Sequence, residues 1–179
     1  MEEEKKKPSR SQTFVAAVLK RCECDRAFAA NLRRADNPDT EHYAYGPLAA
    51  FGIALERDGE RRPFALIGAG LSRSKAARDG SLGLGEALRR CVASADQGEA
   101  RLRRLLACRG QEEACRMVRP LLSLIAARGV PLCHARLLED LLAFRLEEAR
   151  RRICLRWARE FYGTAAAPAD AGEDCPCDS

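Results

Sequence analysis

The chain has 179 residues and a formal net charge of +5. Ala and Leu supply 31 and 22 residues, whereas Val, Ile and Thr together supply only 12. Because strands favour β-branched and aromatic side chains and helices favour Ala, Leu, Glu and Arg, a sheet protein is nearly excluded. No stretch approaches the roughly 20 apolar residues that cross a bilayer, and the charged start lacks the apolar part of a signal peptide, so we expect a soluble, cytoplasmic protein.

Apolar periodicity predicts three helices in the first part of the chain, after a disordered N-terminus of residues 1–12. The first helix spans residues 13–34 and is broken by Asn37-Pro38-Asp39. Asp39 is a plausible cap for a short second helix that ends at Ala50. Asp58-Gly59 is typical of a turn, and a third helix through Leu71 has Pro63 in its first turn.

A polar, basic loop at residues 72–80 follows, and five more helices are expected after it. They cover residues 84–94, 99–108, 117–128, 131–142 and 153–163. Pro120 is expected to kink the third of these, Gly129 to end it, and Pro131 to open the next. The prediction is an all-α protein of about eight helices in two small bundles, residues 13–95 and 96–163, with a disordered acidic tail at residues 164–179.

The charge is distributed unevenly along the chain. Residues 1–60 have a net charge of −1, residues 61–159 of +11 and residues 160–179 of −5. Of the 31 cationic side chains 26 are Arg, which binds phosphate oxygens in a bidentate manner. A basic middle region is typical of proteins that bind polyanions, and codon bias with solvated helix faces is the alternative explanation.

Catalytic and metal-binding patterns are weak. The chain has nine Cys, and the pairs Cys22/Cys24 and Cys175/Cys177 could together offer four thiolates to zinc, whereas Cys133-His134 is a weaker candidate. Side chains two residues apart on a helix diverge, so we expect no metal site. Gly83-Leu-Gly85 follows no strand and is interpreted as a tight turn at a helix start rather than a phosphate loop. We expect no enzymatic activity and no cofactor.

Clustered arginines are the feature that remains. Only 6% of the residues are aromatic, which disfavours base-stacking platforms, and no helix carries the polar mixture that reads base edges. Phosphate contacts without sequence readout are the binding mode that fits.

The order of the motifs resembles the small-subunit (CasB) family of type I-E CRISPR Cascade complexes. Residues 80–88, Gly-Ser-Leu-Gly-Leu-Gly-Glu-Ala-Leu, resemble the glycine motif of that family, and Leu32-Arg33-Arg34 precedes it. A Glu-x-Arg-containing helix at residues 99–108 and Ala-Arg-Leu-Leu at residues 135–138 follow it, and the resemblance covers residues 14–162.

The resemblance implies a noncatalytic subunit, present in two copies, that contacts the backbone and large subunits of a crRNA-guided complex. It also implies a basic groove that holds the displaced, non-target DNA strand of the R-loop in antiviral defence. R-loop formation is nearly balanced in energy, so modest backbone contacts can favour it. We expect no membrane partner.

The resemblance also implies which residues bind nucleic acid, because each can be matched to a position in the family's motifs. Those matched to the family are Arg34, Arg62, Lys75, Arg78, Arg150 and Arg151, and their close rivals are Arg33, Arg61, Arg73, Arg145 and Arg152. Pro120, expected to interrupt a helix that the family keeps whole, and the tail after Gly163 depart from the family pattern. A helical transcription regulator and a helical scaffold without a nucleic-acid role are the alternative functions.

Overall fold

The computed structural model describes residues 8–35, 37–74 and 76–163. Within these ranges it contains nine α-helices, one short 3-10 helix and no extended strand, so the predicted all-α fold is confirmed. The helices are α1 (Arg10–Cys24), α2 (Arg26–Arg33), α3 (Tyr45–Ala49), α4 (Asp58–Arg73), α5 (Leu84–Cys91), α6 (Ala95–Leu106), α7 (Gln111–Ala127), α8 (His134–Ala143) and α9 (Glu147–Tyr162). The 3-10 helix, Glu41–Ala44, precedes α3. None of these described helices is long and apolar enough to span a membrane.

The single helix predicted for residues 13–34 is wrong, because the segment forms α1 and α2. Asp25 has extended backbone angles, and its carboxylate accepts a hydrogen bond from the Phe28 amide at 2.8 Å. An Asp side chain stabilises a new helix start in this way better than it continues an existing helix. At the other end, α1 begins at Arg10 because Ser9 and Gln12 form a reciprocal capping box.

Asp58-Gly59 is not a turn between helices but the first turn of α4, so Pro63 lies inside the helix. Proline has no amide hydrogen, so the Gly59 carbonyl, four residues earlier, lacks its helical donor. The Gln111 side-chain amide donates to that carbonyl at 2.9 Å and to the Leu141 carbonyl at 2.7 Å. A side chain from α7 therefore replaces the hydrogen bond that Pro63 cannot make.

Three other boundary predictions are corrected. Asp39 caps no helix, because the 3-10 helix begins at Glu41 without a side-chain cap. Helix α7 continues through Pro120, so the expected interruption is absent. Pro131 does not open α8, which begins three residues later. The Pro131 carbonyl instead accepts a hydrogen bond from the Leu82 amide at 3.0 Å, in a short parallel bridge between two loops.

Helix α4 lies at the centre of the core and is buried from Pro63 to Leu71. It packs against α1, α2, α7 and α8. Two glycines allow this close packing: a Cβ at Gly68 would lie 3.2 Å from Leu32 of α2, and one at Gly70 would lie 3.2 Å from Leu122 of α7.

Helix α9 packs mainly against α5 and carries Trp157, which is fully buried and stacked on Phe144 with 5.6 Å between the ring centroids. The apolar side chains of all these helices form one cluster. The division into bundles at residues 95 and 96 stays a prediction.

Candidate nucleic-acid interface

The C-terminal ends of α2 and α4 meet and bring together two of the predicted arginine groups. The Arg73 guanidinium donates to the Arg33 carbonyl at 3.0 Å, across 40 residues of sequence. Arg33 is exposed, and its side chain makes no ion pair in the described part of the chain. The last carbonyls of a helix carry partial negative charge, so a guanidinium is stable at this place.

Arg34 follows α2 directly and is also exposed. Its guanidinium lies 4.4 Å from the centre of the Tyr43 ring, a cation–π contact that orients the side chain without neutralising its charge. The Arg34 carbonyl accepts from the Thr40 hydroxyl at 2.9 Å. The Arg33-Arg34 pair therefore presents charge to solvent from a fixed backbone.

Arg61 and Arg62, which the sequence pattern does not distinguish from Arg33-Arg34, are paired with acids. The Arg61 guanidinium contacts Glu41 at 2.9 Å and Asp58 at 2.7 Å, and its side chain is only 14% exposed. It also donates to the Leu55 carbonyl. Burial acts to lower the pKa of Arg61, but the hydrogen bond and charge of Glu41 and the charge of Asp58 raise it above its usual value.

Arg62 contacts Asp58 at 2.9 Å and Glu112 at 2.7 Å, with 36% of its side chain exposed. The two arginines lie near the start of α4, so they are roughly 17 Å along the helix axis from Arg73. The neighbouring acids compensate the charge of Arg61 and Arg62, which weakens the attraction of these two side chains for a polyanion.

The predicted arginines at the start of α9 and just before it form a third group. Arg151 lies 3.5 Å from Glu147 one turn earlier and is 79% exposed, so this ion pair is weak. Arg150 donates to the Arg109 carbonyl at 2.5 Å, which ties α9 to the loop before α7. Arg145, just before α9, and Arg152 are exposed and make no ion pair with any described residue. These two arginines are therefore the most available charges of this group.

The basic loop after α4 is anchored by Asp79. Its carboxylate accepts from the amides of His134 at 2.8 Å and Ala135 at 3.0 Å and lies 2.9 Å from His134 Nδ1. It also accepts from the amide of Gly80 at 3.0 Å. Asp79 thus caps α8 from 55 residues away, beside the exposed Arg78. Lys75, the other predicted contact in this loop, lies outside the described residues.

The glycine motif serves close packing at the start of α5. Gly83 precedes α5, and a Cβ at Gly85 would overlap the Trp157 carbonyl of α9. The Glu160 carboxylate accepts from the Gly85 amide at 3.2 Å, so the start of α5 already binds an anion from its own chain. A phosphate has no place there.

Two arginines that the sequence analysis did not select, Arg116 and Arg119, line a cavity of about 270 Å³ together with Arg62. The buried Nε of Arg119 has no hydrogen-bond partner among the described atoms. Arg116 and Arg119 are three residues apart on α7 and therefore lie on one helix face. This spacing identifies them in the sequence as a basic pair.

The cysteines of the described residues are free thiols, and no group of three or more potential metal ligands occurs among these residues. Burial raises the pKa of Cys115 to about 12 and that of Cys108 to about 11, so both thiols stay protonated. Cys175 and Cys177, the second half of the possible zinc set, lie outside the described residues.

Comparison with known proteins gives a consistent result. Residues 28–162 match the family described as CRISPR-associated protein Cse2. The fold is similar to that of CasB from M. ruber, with 25% identity, a TM-score of 0.68, and coverage of 89% of this chain and 95% of that one.

CasB from Thermus thermophilus has 27% identity and a TM-score of 0.65, with coverage of 87% of this chain and 99% of that one. CasB from Thermobifida fusca shares the fold at 18% identity and a TM-score of 0.63, with the same coverage. No curated protein matches the sequence.

Proposed function

Because the chain belongs to the CRISPR-associated Cse2 family, we propose that it is the noncatalytic small subunit of a crRNA-guided type I-E Cascade complex. In this role it contacts the backbone and large subunits and a second copy of itself, and it holds the displaced DNA strand by its phosphates. Guide pairing reads the target sequence, so the small subunit needs charge at defined positions and no base readout.

The observation that carries the proposal is the group of exposed arginines at the C-terminal end of α2 and in the basic loop after α4. Arg33, Arg34 and Arg78 are exposed, and no acid neutralises them in the described part of the chain. The backbone around them is held by the Arg73 hydrogen bond and by the Asp79 cap. A surface of this kind binds a phosphate backbone with little loss of conformational entropy.

Charge reversal tests the proposal in the assembled complex. The variant Arg34→Glu, Arg78→Glu, Arg152→Glu is expected to assemble with the other subunits and guide RNA but to bind target DNA more weakly. Each single-strand phosphate that the variant no longer neutralises should reduce the slope of log affinity against log salt concentration by about 0.7.

A matched control reverses two exposed arginines that are paired within their own helices, Arg90 with Glu86 and Arg103 with Glu99. This control should leave the salt slope close to that of the wild type. Equal affinity and slope in all three proteins would refute the proposed DNA contact, and failure to co-purify with a guide-RNA complex would refute the subunit assignment.

A further inference from the structure

A groove of about 760 Å³ lies between the basic loop after α4 and the turn that joins α7 to α8. Arg73 and Arg78 line it on the loop side, and Ser123 and His134 line it on the other side. Val130 and Leu132 form part of an apolar wall. Its volume lies within the range of ordinary small-ligand sites.

The electrostatics of the groove favour an anion. Asp79, the one acid among the described residues that line it, is occupied by the hydrogen-bond donors of Gly80, His134 and Ala135. Burial acts to raise the pKa of Asp79, but the hydrogen bonds from the His134 ring and from the two α8 amides outweigh it and keep the carboxylate charged. Its charge is directed into the start of α8, so Asp79 does not neutralise the exposed guanidinium of Arg78 beside it.

The hydrogen-bond donors and the apolar wall of the groove together fit one nucleotide of a nucleic-acid strand. A guanidinium and a hydroxyl are phosphate ligands, and an apolar wall accepts the flat face of a sugar or base. The short bridge between Leu82 and Leu132 and the close approach of Gly80 to Pro131 hold the two sides of the groove at a constant separation.

We infer that this groove binds one phosphodiester-linked nucleotide of single-stranded nucleic acid through Arg78 and Ser123, with Asp79 as a positioning residue. The inference rests on the proposed function and specifies where the strand passes between the loop and α7. It adds Ser123 and Asp79 to the residues that the sequence analysis selected.

The direct test places a negative charge in the groove. Ser123 is exposed on α7, so Ser123→Asp is expected to fold, and Ala100→Asp adds the same charge to an exposed position of α6, which does not line the groove. Both variants are assembled with the other subunits and guide RNA, and target-DNA affinity is measured over a series of KCl concentrations. Ser123→Asp should weaken binding and reduce the salt slope by about 0.7, whereas Ala100→Asp should keep the wild-type slope.

Asp79 is tested by comparing Asp79→Ala with Asp79→Asn, which keeps one acceptor oxygen. We expect the salt slope to fall in the alanine variant and to recover in part in the asparagine variant. Ser94→Ala removes the side-chain cap of α6 and serves as the control for helix capping without a change in slope. A lower melting temperature with a wild-type slope would make Asp79 a structural residue only.

The outcomes separate the two proposals. If the triple arginine variant loses DNA binding and Ser123→Asp behaves like Ala100→Asp, the groove is not a binding site, and the proposed function stands. If neither the arginine variant nor Ser123→Asp differs from the wild type, both proposals are wrong.

Discussion

Two arginine pairs, Arg33-Arg34 and Arg61-Arg62, have the same sequence pattern and opposite environments. The first pair is exposed, with Arg34 against an aromatic ring, and the second is held by Glu41, Asp58 and Glu112. Glu41 and Glu112 lie 20 and 50 residues from their partners, so local sequence does not reveal them. The comparison shows that a basic cluster is available to a polyanion only where the fold brings no acid to it.

The largest expected effect on stability is that of Arg61→Ala. Removing this guanidinium leaves Glu41, which is 14% exposed, without its partner and frees the Leu55 carbonyl. Loss of one partner from a largely buried ion pair costs about 3 kcal/mol, so the free energy of unfolding measured with urea should fall by that amount. Glu41→Gln is the matched variant, and an Arg61→Ala protein of wild-type stability would show that the pair is not structural.

Arg33→Glu with Arg34→Glu should give the reverse result. Both side chains are exposed, so the free energy of unfolding should change by less than about 0.5 kcal/mol for each. The salt slope of target-DNA binding by the assembled complex should fall by about 1.4, since two single-strand phosphates are no longer neutralised. A large decrease in stability without a change in slope would show that Arg33 and Arg34, like Arg61, stabilise the fold and do not contact DNA.

Asp79 extends the comparison to an acid that supports a basic loop without neutralising it. Its pKa is lowered in the folded protein, so its stabilising contribution is present above the pKa of the unfolded chain and disappears as the pH falls through the lowered, folded-state pKa. Asp79→Asn should therefore lower stability at neutral pH by about 1 kcal/mol, the usual value of a helix cap.

The difference between the asparagine variant and the wild type should then disappear in acid, as followed by thermal unfolding from neutral pH downward. A difference that stays constant with pH would show that the charge of Asp79 makes no contribution.

The smallest effect is expected for Arg62→Gln. Its ion pairs with Asp58 and Glu112 are well exposed, so screening by water limits their contribution to about 0.5 kcal/mol or less. The DNA salt slope should change by less than the value of about 0.7 for one phosphate contact, because two acids already compensate Arg62. A slope change of about 0.7 would show that Arg62 contacts a DNA phosphate as Arg33 and Arg34 do.

Much of the fold could be predicted from local pattern. Ala- and Leu-rich periodicity indicated helices, and the start of α5 and the ends of α6 and α9 lie within two residues of expectation, whereas α6 begins four and α9 six residues earlier than expected. The resemblance to the CasB family, carried by the order of weak motifs around residues 80–88, is confirmed by the family match over residues 28–162.

Two of the errors arose where side chains distant in sequence replace a local interaction. Pro63 is tolerated inside α4 because Gln111 donates to the Gly59 carbonyl, and α8 begins at His134 because Asp79 caps it. Asp25 ends one helix and starts the next, which periodicity across residues 13–34 conceals. None of these hydrogen bonds except that of Asp25 could be inferred from neighbouring residues.

Composition and periodicity were sufficient to predict the helical class and the basic character of the region from residue 61 to residue 159, because they act through local propensity and burial. The family was indicated separately, by the resemblance of the ordered motifs around residues 80–88. The packing of the helices determines which arginines keep their charge available. That property depends on whether an acid or a carbonyl from another helix lies within hydrogen-bond distance, and packing alone sets those distances.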